Sequence, residues 1–102
     1  MTEPKIELEE QETKGRLFSR NDDGSVAEVT FSRAGDTMMI IDHTSVPDAF
    51  RGTGMGLALV RQAVEYARER GIKILPLCPF AAAQFKRHPE WADVLKQQGQ
   101  DG

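Results

Sequence analysis

The stretch Arg51-Gly52-Thr53-Gly54-Met55-Gly56 carries the decision about this chain. It follows the extended-looking run TMMIIDHTSV (37–46) and precedes LALVRQAVEYARERG (57–71). Alternate glycines admit positive φ and remove β-carbons where a strand becomes a helix. A helix N-terminus presents amides that have no partner within the helix. With the dipole, these amides form an anion site. Without β-carbons at 52, 54 and 56, successive N–H groups can point inward at one anion. Arg51 adds a fixed positive charge at the rim. The chemistry implied is a diphosphate cradle; the competing reading is a glycine turn that only packs helix on sheet. A Walker loop requires Lys-Ser/Thr after its last glycine, and Met55-Gly56-Leu57 follows Gly54 here. A dinucleotide fingerprint requires glycine where Leu57 stands and a larger parallel sheet. The first absence argues against nucleotide hydrolysis and the second against dinucleotide binding.

Working outward, Val60, Ala63, Val64 and Ala67 recur at helical spacing, and Gly56 and Leu59 extend the same face. The spacing predicts a helix over 54–70, with Arg68 and Arg70 suiting the C-terminal dipole and Gly71 as its stop. Upstream, GRLFSR and VAEVTFSR flank Asn21-Asp22-Asp23-Gly24 and predict a hairpin. Ala34-Gly35-Asp36 makes the next turn, giving an antiparallel meander of three strands. TMMIIDHTSV is evenly apolar and reads as buried on both faces. Downstream, IKILPL is a strand that should run parallel to the one before the helix, by a right-handed crossover. Pro79 opens a second helix over 79–87, and Pro89 breaks it before a last short helix, EWADVLKQ. Residues 1–13 are glutamate-rich and read as a flexible acidic tail with a short edge strand at Ile6–Leu8. Residues 14–97 read as one domain, and QGQDG as a loose end.

The totals agree with a single small globular domain. The chain has 102 residues, 39% hydrophobic and 28% charged, too apolar for a disordered segment. A net charge of −3 argues against general nucleic-acid binding. No apolar run spans a bilayer and no signal pattern opens the chain, so a cytoplasmic protein without membrane contact is expected. The single Cys78 excludes an internal disulfide, and with only His43 and His88 beside it no structural metal site is expected.

The order Val46-Pro47-Asp48-Ala49-Phe50-Arg51-Gly52-Thr53-Gly54-Met55-Gly56 resembles the pyrophosphate loop of the GNAT superfamily of acyl-CoA N-acyltransferases. HTSVP, RGTGMG, LVRQAVEYAR, PLCPF and RHPEW together are similar to a minimal subgroup of small single-domain members, from about residue 38 to residue 95. The resemblance implies an α/β (α+β) fold: a mostly antiparallel mixed sheet, a parallel strand pair splayed where the cofactor enters, and flanking helices. It implies acetyl-CoA or coenzyme A as the cofactor, with no metal. Its diphosphate would lie on Arg51, Gly52, Thr53, Gly54, Met55 and Gly56, and the thioester oxygen near the amide of Val46. It implies N-acetyl transfer to an amine, small molecule or protein. The N-terminal helices and C-terminal strands usual in the superfamily have no room here, so a protein partner completing the acceptor site is a further expectation.

Two residues are candidates for the chemistry. Cys78 precedes Pro79 at a helix N-cap, where the dipole favours thiolate. A thiolate can accept an acyl group and pass it on; the bland alternative is a buried structural cysteine. The resemblance places a cysteine of the subgroup at the same position. His43 titrates in the range of a general base, or else fixes the strand by hydrogen bonding. If the parallel strands are neighbours, His43 and Cys78 are expected to face one cleft. Lys86-Arg87-His88, Phe85 and Trp91 read as surface and packing residues, Met38-Met39 as strand core, and Asp42 has no assigned role. Two other functions stay open: a non-catalytic coenzyme A-binding module acting through a partner, and an interaction protein whose loop binds nothing.

Overall fold

The computed structural model describes residues 5–96. Five strands form one sheet in sequence order: β1 (Glu7–Glu10), β2 (Lys14–Arg20), β3 (Val26–Ala34), β4 (Met38–Ser45) and β5 (Lys73–Pro76). The first four pair antiparallel and β5 joins β4 in parallel. Helix α1 (Met55–Arg70) makes the crossover and α2 (Pro79–Arg87) follows β5. This is the mixed α+β architecture expected.

The helices lie on one face of the sheet. Leu17, Val29, Phe31, Met39, Ile41 and Ile74 point into that face and are fully or nearly fully buried. From α1, Leu59, Val60, Ala63, Val64 and Ala67 meet them, each with no exposed surface. Ala63 and Ala67 let the helix axis approach closely, and each larger aliphatic side chain buried contributes about 1.5–3 kcal/mol. Gly71, in the left-handed region at φ 68, ends α1, its amide donating to the Arg68 carbonyl.

Three differences from expectation have physical causes. The acidic segment read as a flexible tail to residue 13 holds an ordered edge strand, longer than Ile6–Leu8. Glu7–Glu10 pair with Phe18–Gly15, and Glu10 is anchored by the Tyr66 hydroxyl of α1. β4 is buried on one face only: Met39 and Ile41 are buried, whereas Met38 and Ile40 are half-buried, because no helix of the described residues covers the other face. After α2 the chain forms a 3-10 turn, Pro89–Val94, instead of an α-helix. Its Trp91 amide donates to the His88 carbonyl at 2.9 Å, the tighter pattern that short pieces adopt. Leu95 then bridges Ile74 on the outer edge of β5. The loose end QGQDG lies outside the described residues.

A bulge in β4 positions everything that follows. Phe31 pairs with Ile41 but Thr30 pairs with His43, leaving Asp42 as the extra residue. Past that point the side-chain alternation is reversed. Thr44, opposite buried Val29, faces the helices. His43, opposite Thr30, faces the open side.

Candidate functional site

Beyond the Ile41–Pro76 pair, β4 continues to Ser45 while the other chain turns away into α2. The Leu77 and Cys78 amides both converge on the Ile41 carbonyl, at 3.1 and 3.3 Å, and there the parallel pairing stops. Asp42–Ser45 therefore keep a strand edge with no β5 partner. This is the splayed pair expected, and the bulge is its start.

The glycine loop stands at the end of that edge. A 3-10 turn, Asp48–Phe50, buries Phe50 and leads into Arg51. Gly52 and Gly54 have φ of 80 and 75, with no atom within 4 Å of where a β-carbon would lie. Both positions thus demand glycine for the backbone and leave room for an approaching group. The Thr53 hydroxyl donates to the Phe50 carbonyl and accepts the Met55 amide at 3.2 Å. The first bond of the helix proper is Ala58 N–H to the Gly54 carbonyl, 2.9 Å. Among the described residues the amides of Gly52, Gly54, Gly56 and Leu57 have no acceptor. A cluster of unpaired donors at a helix N-terminus fits a diphosphate. Arg51 is held by Asp48 at 3.2 Å, but both side chains are more than four-fifths exposed, so the pair exchanges for a phosphate at little cost.

Gly56 has a second role. A β-carbon there would lie 2.7 Å from Cζ of Phe80. The ring of Phe80, from the first turn of α2, rests on the first turn of α1 and locks the two helix N-termini side by side. Phe80, Leu77 and Val46 are three of the four large apolar residues exposed among the described residues, and all border the splayed pair.

Cys78 is the N-cap of α2 and is buried. Its thiol donates to the Thr44 hydroxyl at 3.2 Å. Burial pushes the thiol pKa up, but the Thr44 hydroxyl and the amides of Ala81, Phe80 and Thr44 outweigh it and hold the pKa below that of an ordinary cysteine. The single cysteine is thus buried and yet more acidic than an ordinary thiol.

His43 is exposed and lies on the opposite face of β4 from Cys78. The bulge reverses the alternation, so the two residues expected to face one cleft stand on opposite faces of the sheet. The two flank the splayed gap from its two sides. Three residues at the site escaped the sequence reading. Thr44 sat within a run that looked uniformly apolar. Phe80 looked like an ordinary helix residue. Asp42 carried the only signal of the bulge, a charge in mid-strand. Phe85 and Trp91 prove to be packing and Lys86 and Arg87 exposed: Trp91 meets Phe85 edge-on at 5.5 Å and stacks on His88 at 4.3 Å, whose Nδ1 lies 3.0 Å from Glu90. No helix of the described residues is long and apolar enough to cross a membrane.

Comparison with known proteins agrees with this geometry. The family profile described as GCN5-related N-acetyl-transferase matches residues 16–94. Protein NATD1 of Xenopus tropicalis is 30% identical over 82 residues, covering 78% of this chain and 75% of that protein. A GCN5-like candidate N-acetyltransferase from Staphylococcus aureus superposes with a TM-score of 0.67 at 29% identity, over 94% of this chain and 96% of that one. A nourseothricin acetyltransferase is similar at 31% identity and a TM-score of 0.52, over 61% of this chain and 38% of that one. A matched profile that runs from β2 to the last described turn, over a sheet splayed beside a glycine-amide cradle, makes this chain a member of the GCN5-related N-acetyltransferase family, whose fold typically binds acetyl-CoA.

Proposed function

We propose that the chain transfers an acetyl group from acetyl-CoA to an amine. The observation that carries this reading is the unpaired β4 edge, Asp42–Ser45, which runs between the open amides at the start of α1 and the Cys78 thiol. An elongated ligand with a diphosphate at one end and a thioester at the other matches that track. When bound, acetyl-CoA supplies an activated acetyl thioester; the amine nitrogen gains the acetyl carbon and loses a proton, the C–S bond breaks, and the free thiol leaves.

The chain's own residues have separable tasks. Gly52, Gly54, Gly56 and Leu57 offer amides to the diphosphate, aided by Arg51, with Thr53 and Met55 holding the loop's shape. The amide of Val46 lies where the track leaves β4 and serves the thioester oxygen. Cys78, on the helix side of the gap, relays the acetyl group or polarises the thioester. His43, on the open side, takes the proton that the amine loses. Positioning supplies most of the rate.

The test is calorimetric titration of the chain with acetyl-CoA, beside an Arg51→Ala, Gly54→Val double variant. Saturable binding that the variant loses supports the cradle. Release of free thiol that depends on added amine then supports transfer. Binding with no such release in an amine screen favours the coenzyme A-binding module with a protein partner. No binding at millimolar ligand sinks both.

A further inference from the structure

The open face of the sheet holds a cavity of about 280 Å³, bordered by Glu9, Lys14, Arg16, Thr30 and Asp42. It spans β1 to β4 and ends at the bulge, where the splayed gap starts. Its charges divide into two sets. Arg16 bonds Glu9 and Glu28, each at 2.8 Å, and lies over the Phe18 ring at 4.2 Å, so one cation holds both carboxylates in a single network. Lys14 and Asp42 have no ion partner among the described residues. Asp42 accepts one hydrogen bond, from the Ser32 hydroxyl at 2.9 Å. Ser32 is also the cross-strand partner of Lys14. An unmatched cation on β2 and an unmatched anion on β4 thus share one face diagonally across β3: the β4 partner of Ser32 is Ile40, and Asp42 lies two residues beyond it. Two strand spacings and that offset put their backbones about 11–12 Å apart.

We infer that this cavity is the acceptor subsite and takes a free α-amino acid, its ammonium nitrogen against Asp42 and its carboxylate against Lys14. The inference rests on the acetyltransferase reading above. The short frame between the two charged ends of an amino acid, with a charge-assisted hydrogen bond of about 2.8 Å at each end, bridges the two side chains. A polyamine would set its second cation against Lys14, and a protein lysine would leave Lys14 unmatched. The order of charges also directs the reaction. The nitrogen end is the one beside His43 and the gap, and the carboxylate end is held two strands away. The bulge makes this arrangement, because it brings Asp42 and His43, neighbours in sequence, onto the same face.

The experiment compares L-alanine, L-alanine methyl ester and ethylamine, three amines of similar size of which only the first carries a carboxylate. Each is titrated into the isotope-labelled protein with acetyl-CoA present, and each is assayed as an acceptor by thiol release. L-alanine is expected to move the amide resonances of Lys14, Thr30, Asp42 and His43, and to be used about tenfold better than the other two. Lys14→Met, a change at an exposed strand end, should raise the KM for L-alanine, leave kcat unchanged, and leave the ester unaffected. Equal use of ester or ethylamine overturns the subsite while the transferase reading stands. Absence of those resonance shifts with L-alanine overturns it whatever the assay shows. Shifts specific to L-alanine with no thiol release from any amine keep the subsite and overturn the transferase reading.

Discussion

The thiol of Cys78, at the start of α2, donates a hydrogen bond to the hydroxyl of Thr44, at the end of β4, over 3.2 Å. The contact joins the two segments that diverge at the splayed pair, and it does so from the helix side. It exists because the bulge at Asp42 turns Thr44 inward; regular alternation would have put His43 there.

Thr44→Val removes the hydroxyl and keeps the shape. Burial then opposes the thiolate with less to offset it, and the Cys78 pKa rises. Alkylation by iodoacetamide at neutral pH should slow several-fold, and its pH profile should move to higher pH. An unchanged profile would mean that the amides of α2 alone hold the thiol down.

Gly56→Ala should destabilise the fold by about 1–3 kcal/mol, because the new methyl group would press on Phe80 at 2.7 Å. Phe80→Leu in the same chain should recover most of the loss. A double-mutant cycle in urea measures the coupling; simple additivity would show that the ring has no grip on α1.

Tyr66 holds β1 to α1. Its hydroxyl donates to Glu10 and accepts from Arg33 at 3.0 Å, and its ring packs on Phe31 at 5.3 Å. Tyr66→Phe should cost about 1–3 kcal/mol, since Glu10 and Arg33 lose a part-buried partner. Amide exchange should accelerate first in Glu7 and Glu9, the β1 residues whose amides bond to β2 in this register; uniform acceleration across the sheet would contradict a local tether.

Arg68 of α1 grips Asp93 with two bonds of 2.9 and 2.8 Å, and the hydrogen bonds from its guanidinium hold the Asp93 carboxyl below its ordinary pKa. A depressed carboxylate stabilises the fold above its unfolded pKa, and the contribution disappears as pH falls through the folded value. The Tm difference between the native chain and Asp93→Asn should therefore be present at neutral pH and vanish in the acid range below the usual carboxylate pKa. A difference that does not change with pH would assign the effect to packing.

Much of this protein is legible without coordinates. The glycines at 52 and 54 occupy backbone conformations that few other residues adopt, so their spacing announced the turn and its unpaired amides. The helical spacing from Leu59 to Ala67 and the stop at Gly71 follow from one buried stripe and one left-handed residue. These are local matters, settled within a few residues by sterics and periodicity. The bulge at Asp42 is different. It arises from how β4 registers on β3, a relation between residues more than ten positions apart, and no local propensity encodes it. Through it, tertiary pairing set which residue meets Cys78, sent His43 to the far face, and placed Asp42 across the open sheet from Lys14. The one-sided burial of β4 came from the same level, because apolar composition states that a strand can be covered, and only the packed helices determine on which side.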